Sequence, residues 1–258
     1  MLCLVTGANA GIGFEIAKGL ARTGASVVLA CRDRSRGEAA LSTIAGQTEL
    51  LIVDVASQRS TRAAAREFVE KHSTLDVLVN NAGVGLKSRQ ESPDGIELTF
   101  ATNVLGYHLL TALLLDPLQR AEAARIVNVA STYAFGLDLE DVEFRRRPYE
   151  PVTAYAQSKQ ANRMLTWALA RRLEGTSVTA NAMAPGAVDT ALLHTLAPGS
   201  SGRTPAQGAD TAIWLATSAE VAGVSGRFWY DRRERRCEFR SPEQEEALWA
   251  LCERMTAA

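Results

Sequence analysis

A tyrosine and a lysine four residues apart, Tyr155 and Lys159, are the side chains of this sequence best fitted to move a proton. They open a segment, Thr153 to about Glu174, in which Ala161, Met164, Leu165, Ala168, Leu169 and Leu173 recur at helical spacing. On a helix, a spacing of four puts both side chains on one face, about one turn apart. A phenol is a poor acid at neutral pH, with an unperturbed pKa of about 10. A fixed ammonium nearby favours the phenolate, so the pair predicts a Tyr155 pKa drawn down toward the working range. A tyrosine tuned in that way exchanges a proton with a carbonyl oxygen or an alcohol. The same pair also occurs on ordinary surface helices, so its meaning depends on what the rest of the chain brings to it.

The elements that would position the pair read as an alternation of strands and helices. Short runs rich in Val, Ile and Leu occur at Leu2–Thr6, Ser26–Ala30, Leu50–Val53, Val77–Asn80, Arg125–Val129, Val178–Met183 and Arg227–Tyr230. Such runs with little polar alternation suit strands covered on both faces. Helical patterns separate them, which implies a parallel sheet with right-handed crossovers. With no repeat or linker, residues 1–258 read as a single doubly wound α/β Rossmann domain with a mostly parallel seven-stranded sheet and helices on both faces.

Polar clusters follow successive strand ends, where ligands bind in open α/β sheets. The first is Thr6-Gly7-Ala8-Asn9-Ala10-Gly11-Ile12-Gly13, leading into a helix over Phe14–Thr23. Glycines at 7, 11 and 13 allow a tight turn, close approach of a pyrophosphate and close helix packing. The helix start then offers unpaired N–H groups to phosphate. After the second strand comes Ala30-Cys31-Arg32-Asp33-Arg34, where an acid would hold a free ribose 2′-hydroxyl and an arginine a 2′-phosphate. Arg32, a planar fork suited to phosphate, predicts NADP(H), with Asp33 turned into the loop. Asp54-Val55 would meet adenine, and Asn80-Asn81-Ala82-Gly83 could take unusual backbone angles beside a ligand. Asn103 and Gly106 interrupt an apolar helix and suggest a bend or a site there. The remaining strand ends carry Asn128 to Tyr133 and Ala184-Pro185-Gly186-Ala187-Val188-Asp189-Thr190.

With those residues in order, the chain resembles the short-chain dehydrogenase/reductase family along nearly its whole length. The match rests on Thr6-Gly7-x-x-x-Gly11-Ile12-Gly13, Asn80 to Gly83, Asn103, Ser131, Tyr155-x-x-x-Lys159 and Pro185-Gly186. Ala30 to Asp33 with Arg36-Gly37-Glu38, and the long interval from Ser131 to Tyr155, resemble its retinol-dehydrogenase-like and protochlorophyllide-reductase-like branch. The resemblance implies Tyr155 as general acid/base and Lys159 as the group that lowers its pKa and holds the nicotinamide ribose. It implies Ser131 bonded to the reacting oxygen and Asn103 holding a water that links Lys159 to solvent. It places Gly7, Asn9, Ala10, Gly11, Ile12 and Gly13 at the phosphates, and Asp54 and Val55 at adenine. Asn81, Ala82 and Gly83 would surround the ribose, with Pro185, Gly186, Val188 and Thr190 at the carboxamide and phosphate side. The implied activity is reduction of a hydrophobic, cyclic or polycyclic ketone by NADPH, run reversibly as an alcohol dehydrogenase. Reduction of a ring carbon–carbon double bond is the alternative, and a non-catalytic NADP-binding sensor or scaffold is the rival from another class. A homodimer or homotetramer would form on the helices carrying Asn103 and Tyr155.

Composition narrows the partners. A net charge of −1 asks for neither nucleic acid nor an anionic membrane. Arg145-Arg146-Arg147 and Arg232 to Arg236 lie beside acids and read as solvated loop charge, without the aromatic platform that single strands need. The first residues are too short an apolar run for a signal peptide, and no stretch is long enough to span a bilayer. Cys3, Cys31, Cys237 and Cys252 lack disulfide-framework spacing, which suits a reduced, cytoplasmic protein. His72, His108 and His194 are scattered, so no metal site is expected. Substrate size would be set by Ser88–Gly95, Tyr133–Val152 and Ala191–Thr204. The last of these is the lid, although packing on the domain explains the apolar loop residues equally well. Pro242 to Met255 reads as a final amphipathic helix.

Overall fold

The apolar runs become parallel strands because every second residue faces a different helical layer, and both layers are present. In the computed structural model, which describes residues 1–257, the strands are β1 (Leu2–Thr6), β2 (Ser26–Cys31), β3 (Thr48–Ile52), β4 (Val77–Asn80), β5 (Arg125–Val129), β6 (Thr179–Ala184) and β7 (Phe228–Tyr230). Cys3 and Val5 pack on one side with Ile16, Leu20 and Ala212, while Leu4 packs on the other with Phe68, Leu78 and Leu110. With a short last strand β8 at Arg233–Glu234, the order is β3-β2-β1-β4-β5-β6-β7-β8, all parallel as far as β7. The winding direction reverses between β1 and β4, which opens a crevice at their carboxyl ends.

The sheet has eight strands rather than seven. The eighth, β8 (Arg233–Glu234), pairs antiparallel with β7 across a turn in which Asp231 and Arg232 both take positive φ, 52° and 56°. Two-residue hairpins need that geometry, and Asp-Arg lacks the Gly or Asn that would announce it.

The helices are α1 (Gly11–Arg22), α2 (Arg34–Leu41), α3 (Gln58–Lys71), α4 (Leu98–Phe100), α5 (Gly106–Leu113), α6 (Leu115–Gln119), α7 (Pro151–Arg172), α8 (Ala191–Leu196), α9 (Pro205–Thr217) and α10 (Pro242–Thr256). A π-helical turn, Ala101–Leu105, joins α4 to α5 at the position where Asn103 and Gly106 suggested a bend. α7 starts two residues before Thr153, because Pro151 suits the first helical position and the Glu150 carboxylate accepts from the Val152 and Thr153 amides.

Every residue of α7 from Ala156 to Leu169 is buried, which a single-sided contact could not achieve. The outer side is covered by α10, whose Leu248 and Cys252 are fully buried against it. Arg171 and Arg172 at the end of α7 pair with Glu246 at 2.8 and 2.6 Å. α10 also packs on the π-helical turn. The helices bearing Asn103 and Tyr155, on which the resemblance placed a subunit contact, are therefore faced by this chain's own last helix.

Candidate active site

The site begins where β1 gives way to α1. Gly7 and Gly11 adopt left-handed backbone, φ 67° and 57°, and a Cβ on Gly13 would collide with the Gly7 carbonyl and the Asn81 carboxamide. The cap of α1, Ala10, supplies no side-chain hydrogen bond, and the first turn carries no acid. The leading amides thus point into the crevice unneutralised, which is what an anionic phosphate requires. The residues fit a pyrophosphate on an observation of the fold itself. Asn81 is used differently from the sequence expectation: Gly83 and its neighbours avoid left-handed angles. Asn81 instead ties β4 to β1, its amide donating to Thr6 Oγ1 at 2.8 Å and its carboxamide to the Thr6 carbonyl at 2.9 Å.

One cavity of about 930 Å³ runs along the carboxyl ends of the strands. Gly7, Asn9, Ala10, Gly11, Ile12, Gly13, Arg32, Asp54, Val55, Asn81, Ala82, Gly83, Ser131, Tyr155, Lys159, Pro185, Gly186, Val188 and Thr190 all line it. Asn103 does not. At the β2 end the wall also includes Arg36, which sequence reasoning noted in a motif but did not assign to the site. The signal was its place in the first turn of α2, after a capping aspartate. Asp33 caps α2 by accepting from the Arg36 amide at 2.9 Å, so its carboxylate is engaged away from the cavity.

At the other end Ser131, Tyr155 and Lys159 converge. Ser131 follows β5 and lines the cavity together with Tyr155, and its hydroxyl accepts from the Tyr133 amide at 3.0 Å. Lys159 Nζ donates to the Val129 carbonyl at 2.9 Å and stands 5.7 Å from the centre of the Tyr155 ring. The expected lowering of the phenol pKa is overturned here. Burial pushes Tyr155 up to about 12, with the neighbouring Ser131 hydroxyl acting the other way. Burial also lowers Lys159 to about 7. Desolvation disfavours the charged form of each group, and it dominates this pair.

Asn103 is fully buried behind that cluster and acts as a brace. Its carboxamide exchanges hydrogen bonds with the Val84 amide (2.8 Å) and carbonyl (3.0 Å), and donates to Ser158 Oγ at 2.9 Å. Its main-chain carbonyl accepts from Asn162 Nδ2 at 2.7 Å.

The three loops divide between cavity wall and core. Leu192, Leu193 and Leu196 of α8 line the cavity, with Leu196 seated on Gly85. Most of Tyr133–Val152 packs on the domain: Val142 and Phe144 are buried, Phe144 meets Tyr149 edge-on, and Tyr149 bonds Thr99. Only Tyr133 and Val152 of that loop reach the cavity, and none of Ser88–Gly95 does. Part of each arginine run is paired within the chain, Arg145 with Glu143, Arg147 with Asp141 and Arg232 with Asp210. The histidines serve separate contacts, His72 with Glu49, His194 with Asp189 and His108 edge-on to Trp249. No helix among the described residues is long and apolar enough to cross a membrane.

A doubly wound sheet with a glycine-rich phosphate turn at one end of its crevice and a hydroxyl–phenol–amine group at the other defines a dinucleotide-dependent oxidoreductase. The family model for short chain dehydrogenase matches residues 2–200, and the chain belongs to that family. It is 38% identical to retinol dehydrogenase 14 of Homo sapiens over 286 aligned positions, covering 98% of this chain and 85% of that protein. It is equally 38% identical to polyprenol dehydrogenase of Homo sapiens, covering 90% of this chain and 79% of the relative. Among solved structures, an uncharacterized protein from Mycobacterium paratuberculosis superposes with a TM-score of 0.82 at 34% identity, covering 99% of this chain and 92% of that one. The family model and the retinol dehydrogenase match place the chain in the retinol-dehydrogenase-like branch, as an oxidoreductase of alcohol and carbonyl groups using a nicotinamide cofactor.

Proposed function

We propose that the chain is an NADPH-dependent reductase of apolar ketones or aldehydes that also runs in reverse as an alcohol dehydrogenase, with Tyr155 as general acid/base. NADP(H) supplies or accepts the hydride when bound. Arg32 and Arg36, both at the adenosine end with Asp33 engaged elsewhere, are the groups that would hold a 2′-phosphate. As charge builds on the carbonyl oxygen, the Ser131 and Tyr155 hydroxyls would stabilise it, and Tyr155 would then give it a proton. A phenol held up to about 12 stays protonated at neutral pH, the form that reduction consumes. Lys159 would anchor the nicotinamide ribose, and Asn103 would keep the Gly83–Val84 wall against α7.

The observation that carries this reading is the meeting of Ser131 and Tyr155 on one wall of the cavity that begins at the glycine turn. The leucines of α8, together with relatives named for retinol and polyprenol, favour a long isoprenoid substrate over a compact polycyclic one. The test is turnover of all-trans-retinal with NADPH by wild type and Tyr155→Phe. Loss of roughly 10²- to 10⁴-fold in rate, with NADPH fluorescence titration unchanged, is the expected result. Near-normal turnover in the variant would remove Tyr155 from the chemistry.

A further inference from the structure

Arg163 lies one turn beyond Lys159 on α7, extending the spacing of four that links Tyr155 to Lys159. It is only 5% exposed, and no carboxylate pairs with it among the described residues. A guanidinium buried without a counter-charge is strongly unfavourable unless its surroundings replace water well. Here they are specific. The guanidinium carbon lies 3.6 Å from the Phe228 ring centre and 5.4 Å from that of Phe239. Nη1 is 3.1 Å from Cys237 Sγ, and Nη2 donates to the main-chain carbonyl of Ser131. Phe228 belongs to β7, while Cys237 and Phe239 belong to the segment between β8 and α10. One side chain of α7 thus spans from the end of β5 to the segment that leads into the last helix.

We propose that Arg163 is the positioning residue for Ser131. This rests on the role given to Ser131 and Tyr155 above. Ser131 sits in irregular chain just after β5, so no ladder fixes the direction of its peptide. Two contacts do: Arg163 holds its carbonyl, and the Tyr133 amide donates to its hydroxyl at 3.0 Å. Together they hold Ser131 on the cavity wall that it shares with Tyr155. Without the guanidinium the carbonyl loses its partner, the peptide is free to rotate, and the two-hydroxyl arrangement comes apart.

The test uses the full chain with NADPH and all-trans-retinal. Arg163→Met keeps the stem and removes the donors. It is expected to lower kcat by about 10²-fold, the size of losing one aimed donor, and to leave the KM for NADPH within about twofold. Ser131→Ala combined with Arg163→Met should be no worse than Ser131→Ala alone, because both remove one interaction. A folded Arg163→Met with wild-type kcat, or losses that multiply in the double variant, would overturn the proposal. If Arg163→Met does not fold, Arg163→Lys carries the test: a point charge cannot stack and reach as the flat fork does. A fall in kcat of about tenfold or more with unchanged NADPH binding supports the proposal, and wild-type kcat overturns it. If wild type reduces no retinal, the reading of the function fails separately, and crystal structures of wild type and Arg163→Met decide this one. A Ser131 peptide turned away from its wild-type direction, with the Tyr133 contact broken, supports the proposal, whereas an unmoved Ser131 would overturn it.

Discussion

Lys159 Nζ donates to the carbonyl of Val129 at 2.9 Å, deep enough that burial holds the amine down to about 7. The folded chain therefore gives up this proton at a lower pH than the unfolded chain does. Below about 7 the fold carries the whole penalty of a buried ammonium. From there up to the ordinary lysine range the unfolded state holds more protons, so stability rises with pH. Lys159→Met is expected to be more stable than wild type near pH 6, by something on the order of 2 to 3 kcal/mol after the lost hydrogen bond is discounted. The difference should shrink toward pH 10. Urea unfolding across that range measures it, and a variant less stable than wild type at the acid end would contradict the account.

The two arginines at the adenosine end predict a cofactor preference. Removing either Arg32 or Arg36 should raise the KM for NADPH by about 10- to 100-fold, the scale of one charge-assisted hydrogen bond. The KM for NADH should stay nearly constant. Kinetics with both cofactors check this, and an unchanged NADPH preference in both variants would move the 2′-phosphate elsewhere.

Gly13→Ala addresses the phosphate turn. Its new methyl would meet the Gly7 carbonyl and the Asn81 carboxamide, both fixed by the β1–β4 stitching. Something must shift, at about 1 to 3 kcal/mol for an overpacked interior. The expected outcome is a lower melting temperature together with weakened NADPH binding. Retained binding at wild-type affinity would show that the turn tolerates more than its geometry allows.

Leu248 of α10 is wholly buried against the π-helical turn and α7. Leu248→Ala should destabilise the chain by about 2 to 5 kcal/mol. Because that helix backs the one carrying Tyr155, kcat should fall before global unfolding is seen. Calorimetry and turnover at increasing temperature separate the two, and coincident losses would show that α10 stabilises without supporting the site.

Much of this arrangement was readable from residue order. The strands were legible because Val, Ile and Leu run uninterrupted where both faces are covered, as in Val77–Asn80. The glycine turn and the Tyr155–Lys159 helix were legible because each needs particular residues at fixed spacing. What escaped depends on three-dimensional surroundings. Burial reversed the expected direction of the Tyr155 pKa, and burial has no one-dimensional signature. Phe144 on an irregular loop looks alike as lid or core until Tyr149 and Arg147 are seen to pack on it. Asn103 announced itself as an anomaly in a helix, yet its brace to Val84 and Asn162 required the fold to bring them together. Arg163 carried no signal in the sequence, because the ring beneath it is supplied by β7.

The wide turn Ala101–Leu105 has one implication for how this gene could vary. Such a turn accommodates a surplus residue, so losing a single codon within it would restore regular winding and leave the flanking stretches facing much as they do now, whereas the same loss from a regular helix would rotate one side by about 100° relative to the other. The damage would be confined to the turn itself, where the Asn103 carboxamide would leave its place between Val84 and Ser158. An in-frame deletion here should therefore spare the fold while undoing the brace behind the site, the reverse of what a deletion elsewhere along the helix would do.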